Sequence, residues 1–561
     1  MKQISESLQE HSVSIADVKL PVSELCGGVL FVGQSGSGKT ALINDLAGQF
    51  SRLGGSAREC YAIIYFALKG RGHRDFLSAL PRNRRKDVIV IGGSDSPAIR
   101  LFWAANWACA EELQLATVQF LEEVADHVAG AGDAVRHDPF WDRQRLRILS
   151  ELARLTPVEA ALGSPPISDL FRQKDLQPDV RLLHHPDAHV ALLARVEAFL
   201  QFIADKSTSG SIRPNHQLLA VFQENGFGDK KALTRAKQLV EAAENSPKNH
   251  LGKRGRDLCR AVADLLDLAD QAAEAMKEQT LLDRFQATLD VKSQKRLAAL
   301  IEQFWRIPNT TRGCIEADLR GVVECFRSGP AQTLFRPNAE KEITIEEIVD
   351  RGRIAVIDLP LAESGGASLA PAMAIKIALA RLLAGRLRAG RDGKTLNRRG
   401  VLVVQDEAHL LLSKPKSGLS TEALTLSIIR EMGVVWILAA QSLSLIAGAL
   451  RGESQATAFA SAARTRIFGG TADEYTARLS SALCGTTRGP ERRLACMWHP
   501  TPGLDQALIG VSGELVPAVP IQTFYQLQTG QFVLRTAQTD CYLLDIRFNL
   551  PHPTAQKLNH R

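Results

Sequence analysis

With 561 residues, 45% of them hydrophobic, the chain can bury one large core or two to three ordinary ones, and it is too apolar to be disordered. The formal charge of +7 is modest for this length and permits a nucleic-acid partner without demanding one. Nine cysteines with no C-x-x-C pair exclude a disulfide framework and zinc spacing, and no apolar run resembles a signal peptide, so a cytoplasmic protein with no intrinsic membrane span is expected.

The first predicted strand, Gly27 to Val32, breaks into Gly33-Gln34-Ser35-Gly36-Ser37-Gly38-Lys39-Thr40, which fits the phosphate-loop pattern G-x-x-x-x-G-K-[ST]. A helix is expected from about Thr40 onward. Backbone N–H groups of Gly33, Ser35, Gly36, Ser37 and Gly38 would face phosphate oxygens at that helix N-terminus. Lys39 would reach the β- and γ-phosphates, and the Thr40 hydroxyl would hold Mg2+. Two further β-branched runs, Cys60 to Phe66 and Asp87 to Ile91, predict buried parallel strands that begin an α/β sheet without finishing it.

From Ala108 to Arg336 the pattern changes to leucine and alanine at helical spacing, as in Ala191 to Leu200 and Leu258 to Ala275. This predicts an all-helical insertion over residues 108–336. It separates a first part of the core, 1–107, from a second, 337–561. His184, His185 and His189 flank Pro186 and are expected on an exposed turn, since no partnering cluster has metal-ligand spacing.

The sheet is expected to resume at Arg353 to Pro360. A long helix follows from about Ala370 to Arg388, with Ile375, Leu379, Leu382 and Leu383 on its apolar face and Lys376, Arg381 and Arg386 on the wetter one. A basic loop, Ala389 to Gly400, leads to the strand Gly400 to Gln405, which delivers Asp406-Glu407-Ala408-His409 at its C-terminal end. In a parallel sheet those ends line the ligand crevice. Asp406 would therefore join the Mg2+ shell, and Glu407 would polarise the attacking water. After a helix predicted over Thr421 to Met432 comes the strand Val434 to Ala440, tipped by Gln441, which can contact the γ-phosphate or the attacking water. The apolar stretch Val434 to Leu450 is too short and mixed for a bilayer helix. Helices near 455–463 and 472–484, a strand at 465–468, and β-like runs at 531–535 and 542–548 complete the chain.

This ordered set resembles the HerA/FtsK superfamily of RecA-like motor ATPases, especially the HerA and conjugative coupling-protein branches. The residues that carry it are Gly33 to Thr40, Asp406-Glu407-Ala408-His409, Ile428 to Val434 and Ala439-Ala440-Gln441-Ser442, with Ala463 to Phe468, Asp473 and Leu479 to Gly485 behind them. It covers roughly residues 20–105 and 340–550. The resemblance implies a RecA-like P-loop NTPase core, with a mainly parallel sheet, helices on both faces and the large all-α insertion. It also implies ATP and Mg2+ as cofactors, and a homo-oligomeric ring, typically a hexamer, that threads and translocates DNA. A trans-acting arginine would complete each site. By position Arg430 is the first candidate, with Arg464 and Arg466 behind it.

Only some thirty residues precede the phosphate loop, where HerA proteins usually carry a β-barrel and coupling proteins membrane helices. The expectation is a soluble motor, or one that docks onto a partner nuclease or a membrane or secretion component. The basic stretch holding Arg386, Arg388, Arg391, Lys394, Arg398 and Arg399 is expected to grip DNA phosphates. A different class of function, an ATP-gated scaffold for a partner enzyme that never moves along DNA, would use the same catalytic residues.

Overall fold

The computed structural model describes residues 11–54, 60–69, 72–93, 96–102, 110–129, 139–155, 178–208, 280–336, 339–391, 399–412, 426, 433–488, 515–538, 540–546 and 554–557. The chain divides into two compact units. One comprises residues 1–107, 115–137 and 321–561; the other comprises 108–114 and 138–320.

The first unit is built on one sheet. Its strands in chain order are β1 (Val29–Val32), β2 (Ala62–Ala67), β3 (Val88–Ile91), β4 (Ile354–Asp358), β5 (Val401–Gln405), β6 (Val434–Ala440), β7 (Thr465–Gly469), β8 (Gln531–Arg535), β9 (Cys541–Asp545) and β10 (Thr554–Lys557). Their spatial order is β10-β9-β8-β7-β1-β6-β5-β2-β4-β3. From β7 to β3 every pairing is parallel; β8, β9 and β10 extend the sheet antiparallel beyond β7. The central strands β1, β2, β5 and β6 are buried at every position, as expected of parallel strands covered on both faces. Leu438 of β6 pairs with Leu30 of β1 on one side and Gln405 of β5 on the other. The phosphate-loop strand and the acid-bearing strand are therefore separated by one strand, and all three end at the same edge.

Helix α1 (Lys39–Arg52) buries Leu42, Ile43, Leu46, Ala47 and Phe50, one stripe at helical spacing, against a core that includes Phe31, Ile63, Tyr65, Leu402 and Ile437. On the sheet's other side runs α2 (Leu369–Arg391), longer than its predicted end at Arg388, so Arg391 joins Arg386 and Arg388 on helical backbone and leaves the expected loop. Lys376 departs from the wetter face assigned to it. It is buried, and its ammonium donates to the Leu411 carbonyl. The stretch of helix Gly365–Ala384 is long and apolar enough to cross a bilayer, but 67% of it is buried in the fold, as in a core helix. The segment singled out for that test in the sequence, Val434 to Leu450, is instead split into β6 and α3 (Leu443–Leu450).

Two basic residues prove structural. Arg84 is buried and donates to the carbonyls of Tyr61 and Gly352, at 3.1 and 2.8 Å, while pairing with Asp87 at 3.0 Å. Arg399, grouped in the sequence with DNA-gripping cations, is also buried. Its guanidinium donates to the carbonyls of Asp350 (3.1 Å) and Cys60 (2.9 Å), which removes it from any phosphate-binding surface.

The second unit is helical in its described residues, with helices Pro139–Ala153, Ala188–Thr208, Leu281–Ala287 and Val291–Trp305. Arg195 is buried at its centre and ties three carbonyls, those of Leu183, Leu152 and Ala153. The histidines expected on an exposed turn are buried. His184 Nε2 lies 2.7 Å from Thr288 Oγ1, and burial, reinforced by Arg195, pulls its pKa down to about 3. Asp187 organises the other two. Its N–H donates to His185 Nδ1, and its carboxylate accepts from the His189 N–H. A run of polar residues around a proline reads as a turn; what the sequence does not show is that Phe285 and Thr288, distant in the chain, pack on His184.

Candidate functional site

Leaving β1, the chain is held at both sides by its neighbours: Gly33 N–H donates to the Ala440 carbonyl of β6 (3.3 Å), and Gln34 N–H to that of Gly470 (2.9 Å). Gly36 and Gly38 take φ of +80° and +97°, where a side chain is disfavoured, and Gly38 caps α1. The loop's carbonyls are tied from behind. Thr529 Oγ1 donates to Gly36 O at 3.1 Å and Gly530 N–H to Ser37 O at 3.0 Å, from the turn that precedes β8. Lys39 folds back over the loop, its ammonium donating to the carbonyls of Gly33 and, at 3.0 Å, Gln34. Burial, followed by repulsion from Lys69, lowers its pKa to about 8, against partial support from Asp406.

At the tip of β5 the two acids diverge in role. Asp406 Oδ2 accepts from Thr40 Oγ1 at 3.1 Å, across 366 positions of sequence. Glu407 adopts φ 62° and ψ 49°, a left-handed conformation that is costly for a non-glycine residue. The Glu407 side chain is only 3% exposed. Its Oε1 accepts from Gln441 Nε2 at 3.0 Å, and the same oxygen is ion-paired to Lys69, just beyond β2. His409 Nδ1 is 3.4 Å from the other oxygen. Burial, with Lys69 adding repulsion, lowers the His409 pKa and favours neutral imidazole.

Lys39, Thr40, Asp406, Glu407 and Gln441 thus meet around the phosphate loop; of the loop N–H groups expected to face phosphate, those of Gly33 and Ser37 are instead donated to the carbonyls of Ala440 and, at 3.2 Å, Gln34, which leaves Ser35, Gly36 and Gly38 for that role. Asp406 Oδ1, Glu407 Oε2 and Ser37 Oγ are buried there without a hydrogen-bond partner in the protein. Buried oxygen acceptors beside a threonine hydroxyl form a hard donor set, which fits Mg2+ and its waters.

Arg430 lies outside the described residues, as do Lys394 and Arg398 and the side chains of Arg386, Arg388 and Arg391. Of the second-choice arginines, Arg466 is committed within the chain, donating to the carbonyls of Ala460 and Ser461 at 2.8 Å each, where the helix Glu453–Ala462 ends. Arg464 packs over Gly27, where an added Cβ would lie 2.6 Å from its Cδ, at the opposite end of β1 from the phosphate loop. Lys69 carries no motif signal. It follows a strand as any solvated lysine might, and only the pairing of β2 with β5 brings it to Glu407.

Residues 418–493 match the family described as the TraM recognition site of TraD and TraG. No curated protein matches the chain. Among solved structures, the bacterial conjugative coupling protein TrwB lacking its first 70 residues aligns at 14% identity over all of this chain and 91% of that one, with a TM-score of 0.45. TrwB with the non-hydrolysable ATP analogue ADPNP aligns at 13% identity over 100% and 92%, TM-score 0.46. VirB4 of Thermoanaerobacter pseudethanolicus aligns at 12% over 93% and 90%, TM-score 0.41. With a glycine loop and paired acids gathered at one edge of a parallel sheet and a glutamine between them, the chain is an α/β RecA-like P-loop protein that resembles the conjugative coupling-protein branch of the HerA/FtsK superfamily.

Proposed function

We propose that this protein is an ATP-hydrolysing, Mg2+-dependent motor that assembles as a ring and moves DNA. The observation that carries the reading is the contact between Thr40 and Asp406, which joins the phosphate loop to the acid-bearing strand in one site. ATP is the substrate. The N–H groups of Ser35, Gly36 and Gly38 and the Lys39 ammonium receive its phosphates, and withdrawal of Lys39 from the Gly33 and Gln34 carbonyls provides that ammonium. Thr40 and Asp406 would hold Mg2+, which when bound offsets charge on the β- and γ-oxygens. Glu407, fixed by its backbone and by Gln441, orients and polarises the attacking water. Gln441 stands at the tip of β6, between the two halves of the site, where it can pass the state of that water to α3 beyond it.

The DNA contacts in this proposal come from Arg386, Arg388, Arg391, Lys394 and Arg398, with Arg430 completing a neighbouring subunit's site. The likeness of residues 418–493 to the TraM recognition site of TraD and TraG supports a protein partner for that segment. The test is ATP turnover with and without duplex or single-stranded DNA at low salt, alongside electron microscopy with a non-hydrolysable analogue. DNA-stimulated hydrolysis by rings supports the motor. Hydrolysis indifferent to DNA at low salt refutes it in favour of an ATP-gated scaffold.

A further inference from the structure

Lys69 lies beyond the end of β2, two positions after Ala67, and β2 pairs with β5 so that Phe66 faces Gln405. The two strand ends therefore deliver Lys69 and Glu407 to the same place. Their exposure differs: the Glu407 side chain is 3% exposed, on a backbone in the left-handed region, whereas that of Lys69 is 44% exposed on a long stem. The ammonium of Lys69 occupies the same oxygen, Oε1, that accepts from Gln441, and its charge is felt at both Lys39 and His409. It thus faces into the nucleotide crevice. A carboxylate held by an ammonium has that lone pair engaged and its field partly cancelled, so it polarises water poorly. The ammonium end of this pair is open to water, so Lys69 can leave the buried carboxylate for a stronger anion.

We infer that Lys69 is a positioning residue that reads the terminal phosphate, exchanging its pairing with Glu407 for the γ-phosphate and so freeing the carboxylate only when a nucleoside triphosphate is present. The inference rests on the ATPase reading above. Its geometry follows from Glu407: the carboxylate that addresses the attacking water lies on the γ side of the site, so an ammonium on its Oε1 meets the third phosphate and misses the first two. The residue then confers selectivity for triphosphate over diphosphate. It also links that selectivity to activation of the water.

The experiment is equilibrium binding of the non-hydrolysable ATP analogue ADPNP and of ADP, each with Mg2+, to the full chain and to Lys69→Met and Lys69→Arg. In Lys69→Met the ratio of ADP to ADPNP dissociation constants is expected to fall about tenfold through loss of ADPNP affinity alone, as one charge-assisted contact is removed. Lys69→Arg is expected to restore most of the ratio. An unchanged ratio in Lys69→Met overturns the inference, whether both affinities are kept or both fall together as a structural role would make them. Failure of the unsubstituted chain to bind either nucleotide sinks the ATPase reading instead, so the two outcomes are distinct.

Discussion

The substitution Glu407→Gln isolates the charge of the proposed water-polarising group. Oε1 accepts from Gln441 Nε2 at 3.0 Å and pairs with Lys69, and an amide oxygen in that place keeps both donors. The amide nitrogen then takes the position of Oε2, 3.4 Å from His409 Nδ1, where a neutral imidazole nitrogen can accept. Backbone strain is unchanged, because glutamine at φ 62° costs what glutamate does. The stability term lost is the pairing of the buried Glu407 carboxylate with Lys69, whose ammonium end is open to solvent, and it is offset by the desolvation that a buried charge no longer costs. The chemical term is much larger. Removing a general base lowers turnover by roughly 10²- to 10⁴-fold, and at 1.36 kcal/mol per tenfold this raises the barrier by about 2.7 to 5.4 kcal/mol. ATP affinity should hold or tighten, since a negative charge beside the phosphates is gone. Phosphate release under saturating ATP measures the first quantity, and equilibrium binding of a fluorescent ATP analogue the second. Turnover within about threefold of the unsubstituted chain would refute the role, being far below the loss expected of a base.

Lys39→Ala should weaken ATP binding by more than about tenfold, the loss of a charge-assisted phosphate contact, as nucleotide titration checks. Arg399→Ala strands the carbonyls of Asp350 and Cys60 and should cost roughly 2 to 4 kcal/mol in urea unfolding while leaving DNA affinity unchanged, so weaker DNA binding at full stability would reverse its assignment. The helical unit should lose stability on acidification. His184 has a folded pKa near 3, below the unfolded value of 6.5, so only the unfolded chain takes up a proton in that window; stability present above pH 6.5 declines toward pH 3 by up to about 1.4 kcal/mol per pH unit. A His184→Gln variant with the same acid slope in thermal melts would exclude this residue as its source.

Much of the site was legible in local sequence because its parts are local. A strand entering a glycine loop and a helix needs only adjacent residues, and so does an apolar strand ending in Asp406-Glu407; their side-chain patterns and backbone requirements are short-range. Strand boundaries shifted by a residue or two, as hydrogen bonding at frayed ends dictates. Long cationic side chains are the least legible in sequence: Lys376 and Arg399, expected on wet surfaces, have stems apolar enough to be buried and head groups that find backbone carbonyls supplied from distant segments. Nothing in the spacing of His184, His185 and His189 announced that helices would cover them.

Residue type and immediate context settle which chemistry is available: the phosphate loop, the paired acids and the glutamine at the end of β6 each follow from them. Only the tertiary structure decided how they meet. The insertion of β6 between β1 and β5, the antiparallel extension from β8 to β10 and the pairing of β2 with β5 are choices among non-local partners, made by total burial and hydrogen-bond satisfaction across the sheet. The same is true of the Thr529 and Gly530 strap behind the phosphate loop and of Lys69 on Glu407. Each joins residues hundreds of positions apart, and such distances are set by the folded chain as a whole and carry no signal in either segment alone.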